Sequence, residues 1–299
     1  MTRCFLAALA LSVSLPFAAH AQAPLPPSFA CAKATAPVEK AICDDGMLAS
    51  LDRLVARGLR FAMDADPAGA EALRADQRRW LATRDAAFQS LANIGPLVRT
   101  YEERLRALIR KAGGRGLAGA LAAAAPIDPL RESGPQAEEN AAFVSFVLTT
   151  LYPQPAVPVA PGDADMLTTY ERYAGFTYIA PVRDGRLLVA VPEDCGAYQC
   201  TTVPFALDRK AGTATRLAVE VPDKNDAPRP DPKAMRVGIV TVANGVVDIF
   251  DLARGAGDCG TRWIYRVQGG TLALVKRTVK PNCDGKEWSE KNTTTKVFR

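Results

Sequence analysis

Histidine is almost absent from this 299-residue chain, which has one, His20. His20 falls in a segment expected to be removed on export, so the mature protein is read as having none. That excludes Ser-His-Asp and Cys-His catalysis and imidazole metal ligation. The remaining catalytic chemistries are carboxylate pairs, Ser-Lys dyads and a tyrosine base, and none appears as a recognisable motif. Glu102-Glu103 and Glu138-Glu139 are pairs only in sequence, because adjacent helical residues point about 100° apart. Also missing is an apolar run of the ~20 residues a spanning helix needs. The basic residues form no concentrated stripe of the kind nucleic-acid binders carry. No cysteine pair has the tight spacing of a zinc knuckle or a redox Cys-x-x-Cys. The expectation is a protein without catalysis, cofactor, metal, nucleic-acid partner or stable membrane anchor.

What is present starts with an export signal. Arg3 supplies a positive n-region, Phe5 to Phe17 a short apolar run, and Ala19-His20-Ala21 the small-x-small pattern of a cleavage site. Residues 1–21 are therefore read as a signal peptide, which places the mature chain in the periplasm or outside the cell. The net charge of +5 falls to +4 once Arg3 leaves. Cys4 lies in the signal, leaving Cys31, Cys43, Cys195, Cys200, Cys259 and Cys283. Six cysteines in an oxidising compartment imply three disulfides. Cys31 and Cys43 are alone in the first half and pair with each other. For the rest, Cys195–Cys200 and Cys259–Cys283 are favoured, with a crossing between the two pairs as the alternative. Closing the Cys31–Cys43 loop contributes roughly 3 kcal/mol in the chain-entropy model.

Four helices are expected between about Ala36 and Lys111. Pro37 and Glu39 suit a first helical turn. Leu48, Leu51, Leu54, Val55, Leu59 and Ala62 form one apolar stripe, ended by Asp66-Pro67. Leu73, Gln77, Trp80, Leu81, Arg84, Phe88 and Leu91 recur at three and four until Asn93-Ile94-Gly95-Pro96. Val98, Tyr101, Leu105, Leu108 and Ile109 make the fourth, stopped at Gly113-Gly114. Short connections make these antiparallel neighbours. Residues 113–165 read as a linker with one apolar helix over Ala141 to Leu151 and an extended proline-rich run, Pro153 to Pro161. From Met166 the pattern is β: hairpins around Asp184-Gly185, Asn244-Gly245 and Gly269-Gly270, with further strands at Val203 to Leu207, Arg216 to Val221 and Thr294 to Phe298. The fold class is α+β: a helical bundle or hairpin over 28–112, then a separate antiparallel sandwich or barrel-like domain over 166–299.

Two resemblances emerge. Phe29-x-Cys31, Glu39-x-x-x-Cys43, Leu51-Asp52, Gln77-x-x-Trp80-Leu81-x-x-Arg84-Asp85 and Tyr101-x-x-Arg104 make residues 28–111 similar to the N-terminal domain family of the lysozyme inhibitor LprI. Relatives often carry a second cysteine pair near Ala87 or Phe88 and near Pro96; here both positions lack cysteine, so the hairpin tip has no such staple. Cys195-Gly-Ala-Tyr-Gln199, Arg254-Gly-x-Gly-Asp-Cys-Gly260, Trp263 and Cys283-x-Gly285 make residues 170–299 resemble the secreted bacterial domain of unknown function eleven seventy-six. The first likeness implies an envelope protein of a group in which some members inhibit lysozyme. The second implies compartment and fold, with no assigned activity.

The candidate partner-binding residues are Trp80 and Arg84, one helical turn apart, and Tyr198, Gln199, Arg254, Asp258 and Trp263, which combine sugar-stacking rings with hydroxyl-binding Arg and Asp. Against these stand structural roles. Trp80 would fill a helix seam with Arg84 bonding a carboxylate beside it, and Arg254 to Gly260 would be a glycine-shaped turn pinned by Cys259. The expected function is a periplasmic or secreted binding protein that inhibits a lysozyme or related muramidase in envelope defence. The alternative is a glycan- or peptidoglycan-binding module without inhibitory activity.

Overall fold

The structure is a computed structural model that describes residues 25–122, 124–128, 134–153 and 167–298. The signal peptide and all but the first residue of the proline-rich run lie outside the described residues.

The chain opens with α1 (Pro37–Asp44), α2 (Gly46–Ala65), α3 (Ala70–Ala87) and α4 (Gly95–Ala112). Pro37 stands in the first turn of α1, and Glu39 accepts the amides of Thr35 and Ala36 at 3.0 and 3.2 Å. Asp45 caps α2 by accepting from the Leu48 amide. The α2 stripe and the Val98 to Ile109 stripe of α4 are buried against each other, so closely at Gly58 that a Cβ there would lie 2.8 Å from Leu105. The helix α3 ends at Ala87, short of the expected Leu91. Phe88 turns back onto the core in extended backbone, while Leu91 is left 55% exposed.

Charge ties α3 to α4. Arg104 donates to Gln77 Oε1 at 2.9 Å and to Asp76 Oδ2 at 2.8 Å, and Lys111 reaches the same oxygen at 3.1 Å. These two cations hold the Asp76 carboxyl down at about 2, below its ordinary 3.8. A depressed carboxylate contributes stability that is complete above its unfolded value and vanishes as pH falls through the folded one. The urea midpoint should therefore drop between pH 4 and pH 2, and Asp76→Asn should be less stable at pH 6 and show a flatter drop. An unchanged slope in that variant would refute the assignment.

The segment expected as a linker holds the most deeply enclosed helix. After α5 (Leu117–Ala122), α6 (Pro135–Leu151) buries Ala141, Phe143, Val144, Phe146, Val147 and Leu148 to 1% exposure or less. A helix apolar all round belongs inside a core, and this one shares its buried cluster with the other helices and with strands of the sheet. Next comes α7 (Thr169–Phe176), a helix where the β pattern is expected to begin at Met166. Thr168 and Glu171 cap it reciprocally, an S/T-x-x-E box.

The strands are β1 (Tyr178–Pro181), β2 (Leu187–Cys195), β3 (Cys200–Asp208), β4 (Thr213–Arg216), β5 (Ala218–Pro222), β6 (Pro228–Asp231), β7 (Arg236–Ala243), β8 (Val246–Leu252), β9 (Gly260–Gln268), β10 (Thr271–Lys280) and β11 (Thr294–Val297). They run β1-β2-β3-β7-β8-β9-β10-β5-β6, antiparallel throughout except β10 with β5. Asn244-Gly245 takes positive φ at both residues, the backbone a two-residue hairpin turn needs. The sheet curls back on itself through the β4–β5 segment. β4 pairs with β3, the Leu217 amide donates to Pro204, and the Ala218 amide donates to Gly270 at the head of β10. Period-two alternation then serves two cores at once. Leu187, Val189 and Val191 of β2 face the helices, whereas Leu188 and Ala190 face a second cluster enclosed by the curl, with Val219, Val247, Ile249, Tyr265 and Leu272. The fold is α+β, and the helices share their buried cluster with β1, β2 and β3. The three disulfides join Cys31 to Cys43, Cys195 to Cys200 and Cys259 to Cys283. Among the described residues no helix is long and apolar enough to cross a membrane, and no group of three metal-ligating side chains converges.

Candidate functional site

The helical candidates lie in a seam. Trp80 meets Tyr101 edge to face at 5.3 Å, and the Arg104 guanidinium stands 5.7 Å from its ring. Arg84 is 5% exposed, paired with Asp85 at 2.7 Å and bonded to the Tyr101 hydroxyl. Tyr101 donates in turn to Asp52, which accepts both the amide and the hydroxyl of Ser28. Burial and the Asp52 charge push the Tyr101 phenol far above its ordinary range. Asp52, Arg84 and Tyr101 thus form a buried hydrogen-bonded chain in the helical module. Arg84 is buried in this seam, and Trp80 is half-buried against it.

At one end of the curled sheet three loops meet. The first is the Cys195–Cys200 turn, the second residues 253–259 and the third residues 281–288. Arg254 grips Asp258 with two bonds at 2.7 and 2.5 Å and also donates to the Cys283 carbonyl. Asp258 accepts the Gly285 amide at 2.6 Å. The guanidinium and this amide hold the Asp258 carboxyl well below the usual carboxylate range. Gly257, at φ +70°, lets the loop turn, and its carbonyl accepts from the Trp288 indole at 3.0 Å. Beneath them Lys280 is fully buried, donating to the carbonyls of Asp258, Asn282 and Lys286 and to Asp284. The glycine-rich segment is therefore a welded turn, and Arg254 and Asp258 are bonded to each other rather than held ready for hydroxyls. Gln199 is occupied too: its amide donates to Asp251 and Leu252 and accepts from the Leu252 amide at 2.8 Å.

Arg254 is exposed but committed to Asp258; Tyr198 is the exposed candidate whose side chain is uncommitted. It is 43% exposed, its ring rests on Gly255, and its hydroxyl bonds none of the described residues. Beside it runs a groove of about 220 Å³ lined by Phe176, Tyr178, Tyr198, Gln199, Gly238 and Ile239. Phe176, at the end of α7, is 41% exposed and contributes a second aromatic face to the same groove. The aromatic and β-branched run Phe176-Thr177-Tyr178-Ile179 reads as a strand, which hides Phe176 as a site residue. Trp263 does not join this groove. Its ring packs against the inner cluster between the guanidinium groups of Arg236, at 4.2 Å, and Arg277, at 5.9 Å. Arg236 itself donates to the Tyr265 hydroxyl at 2.7 Å, which fixes the stack.

Comparison with known proteins gives one family. Residues 100–297 match the model described as protein of unknown function (DUF1176). The match opens inside α4 and so includes α5, α6 and α7, a longer span than the resemblance over 170–299. The shared core explains the difference, since α4 and α6 are packed into the same buried cluster as β2 and β3. None of the comparisons supports the LprI likeness of residues 28–111. No curated protein and no solved structure matches the chain.

Proposed function

From its place in the DUF1176 family, to which the chain belongs, we propose that this protein is an extracytoplasmic, disulfide-stapled binding module for glycan, working without catalysis. The observation that carries the reading is the pairing of two half-exposed rings, Phe176 and Tyr198, on one groove next to a disulfide-closed turn. Aromatic faces held on a rigid frame stack on the C–H faces of sugar rings, and the free Tyr198 hydroxyl supplies a polar handle. The welded loops behind Tyr198 keep that ring in place, so ordering it costs little on binding. Export, implied by the signal-like N-terminus and by three disulfides, would bring the groove to envelope polysaccharide.

The mature protein should be retained on insoluble peptidoglycan. Tyr198→Ala combined with Phe176→Ala should lower that retention at least about tenfold, as loss of paired aromatic anchors does, with an unchanged unfolding midpoint. Equal retention of wild type and variant, or no retention of either, would reject the groove as a glycan site. The competing reading, inhibition of a muramidase through an LprI-like helical face, draws less support, since Arg84 is buried and Trp80 half-buried against Tyr101. A muramidase assay with the whole mature protein should accordingly show no inhibition.

A further inference from the structure

A second recess lies on the helical side, far in sequence from the groove. Arg57 and Arg60 on α2 and Arg115, just after α4, line a cleft of about 350 Å³ together with Phe143, Gly116 and Asp64. The Arg57 guanidinium sits flat over the Phe143 ring at 3.9 Å and donates one bond, to Asn140 at 2.9 Å. Burial depresses its pKa; the Glu139 carboxylate acts the other way, and the neighbouring charge of Arg60 adds to the depression. Arg60 and Arg115 form no ion pair or hydrogen bond with any described residue. Elsewhere the same helices pair their arginines closely: Arg53 with Glu139 at 2.6 Å, Arg84 with Asp85 at 2.7 Å and Arg104 with Asp76 at 2.8 Å. Among the described residues that line the cleft the one acidic side chain, Asp64, lies within ion-pair distance of none of the three arginines. Three cations and one carboxylate leave the recess with a surplus of two positive charges.

Like charges gathered in a partly desolvated recess raise the energy of the folded state unless a counter-anion enters. We propose that this cleft is a binding site for a phosphate group. A guanidinium offers a planar fork of N–H donors, and it pairs with phosphate oxygens through two parallel bonds. A phosphate monoester carries about two negative charges and three terminal oxygens, which matches the surplus charge and the three forks, and pyrophosphate offers at least as much of both. A carboxylate has two oxygens and one charge and would leave one guanidinium without a partner. Phe143 holds Arg57 against rotation, so that fork is preorganised. Gly116, whose Cβ position would fall 2.4 Å from the Phe61 ring, keeps the wall beside Arg115 narrow and free of a side chain. The fitting source is a soluble phosphoryl ester; a phospholipid headgroup, the other source, is a phosphodiester with one charge and two free oxygens, and would leave one guanidinium without a partner as a carboxylate does.

Titration calorimetry of the mature protein with pyrophosphate and co-sedimentation with phosphatidylglycerol vesicles, against phosphatidylcholine vesicles, separate the sources. Arg60→Gln with Arg115→Gln changes two exposed side chains and should leave the unfolding midpoint in place while weakening phosphate binding tenfold or more. Asp64→Asn should tighten it. Pyrophosphate binding lost in the double variant establishes a soluble phosphoryl ligand. Binding to phosphatidylglycerol vesicles without binding of pyrophosphate would show that the cleft does not select the charge and oxygens of a phosphate monoester, and would overturn the proposal. If neither probe binds, or if the double variant binds as the wild type does, the proposal is overturned. Its fate is independent of the aromatic groove, whose variants leave these arginines untouched.

Discussion

Lys280→Met is expected to lower unfolding stability by about 3 kcal/mol or more, the range seen when one partner of a buried, hydrogen-bonded charge is removed. The ammonium is completely enclosed and gathers four acceptors, three of them main-chain carbonyls from two different loops. Methionine fills similar volume and offers no donor, so those carbonyls stay buried with one partner fewer, and Asp284 loses its closest cation. The damage should centre on the loop junction. Trp288, bonded to Gly257 and set edge to face against Phe250 at 5.1 Å, is the local reporter. A fall in the urea midpoint with a red-shifted Trp288 emission, read in a background with Trp80 and Trp263 replaced by Phe, is the expected result. A midpoint within about 0.5 kcal/mol of the parent, the ordinary effect of a surface substitution, would show that the lysine is not the hub of the junction.

The second large effect is expected at Phe143→Ala, about 3–5 kcal/mol. The ring is 1% exposed at the centre of α6, meets Phe61 edge to face at 6.2 Å and carries the Arg57 guanidinium on its other face. Truncation removes apolar contact and leaves a cavity between α2 and α6 that neither helix can close without shifting. Against a domain stability of roughly 5–15 kcal/mol, that is a third or more of the whole. Phe143→Leu keeps most of the volume and should cost less than half as much. Chemical denaturation of the pair checks the ratio; equal losses would mean that packing volume is not what Phe143 contributes.

Much of this architecture is legible in the residues. The stripes Leu48 to Ala62 and Val98 to Ile109 announce two helices that bury one face each. Asn244-Gly245 and Gly269-Gly270 announce their hairpins, and cysteine order favours the pairings found. Periodicity is weakest where a segment is buried on every side, because no polar face remains to mark the period. For that reason Ala141 to Leu151 is visible as a helix but not as the centre of the core, flanked as it is by alanine- and proline-rich stretches. The helix α7 had a readable start in Thr168-x-x-Glu171; the nearby aromatic and β-branched residues Phe176, Thr177, Tyr178 and Ile179 drew it into the strand pattern instead. At the site, residue type identified Tyr198 but not its neighbours' commitments. Whether Arg254 meets a ligand or Asp258 depends on the loop's own geometry, and whether Trp263 faces outward depends on the curl of the sheet. The arginine cleft has no local signature at all, since Arg57 and Arg60 meet Arg115 only after α4 has doubled back.

The curl of the sheet also governs how the protein meets other chains. A row of unpaired amides and carbonyls invites a foreign strand to add on, and here each remaining rim is blunted. Beside β1, Ile127 bridges to Ile179 through main-chain bonds in both directions. The rim at β6 carries Pro228 and Pro230, which lack amide protons, and β11 is four residues long with Lys296 in its middle. Fibril-like stacking and peptide capture by strand addition are both disfavoured by this arrangement.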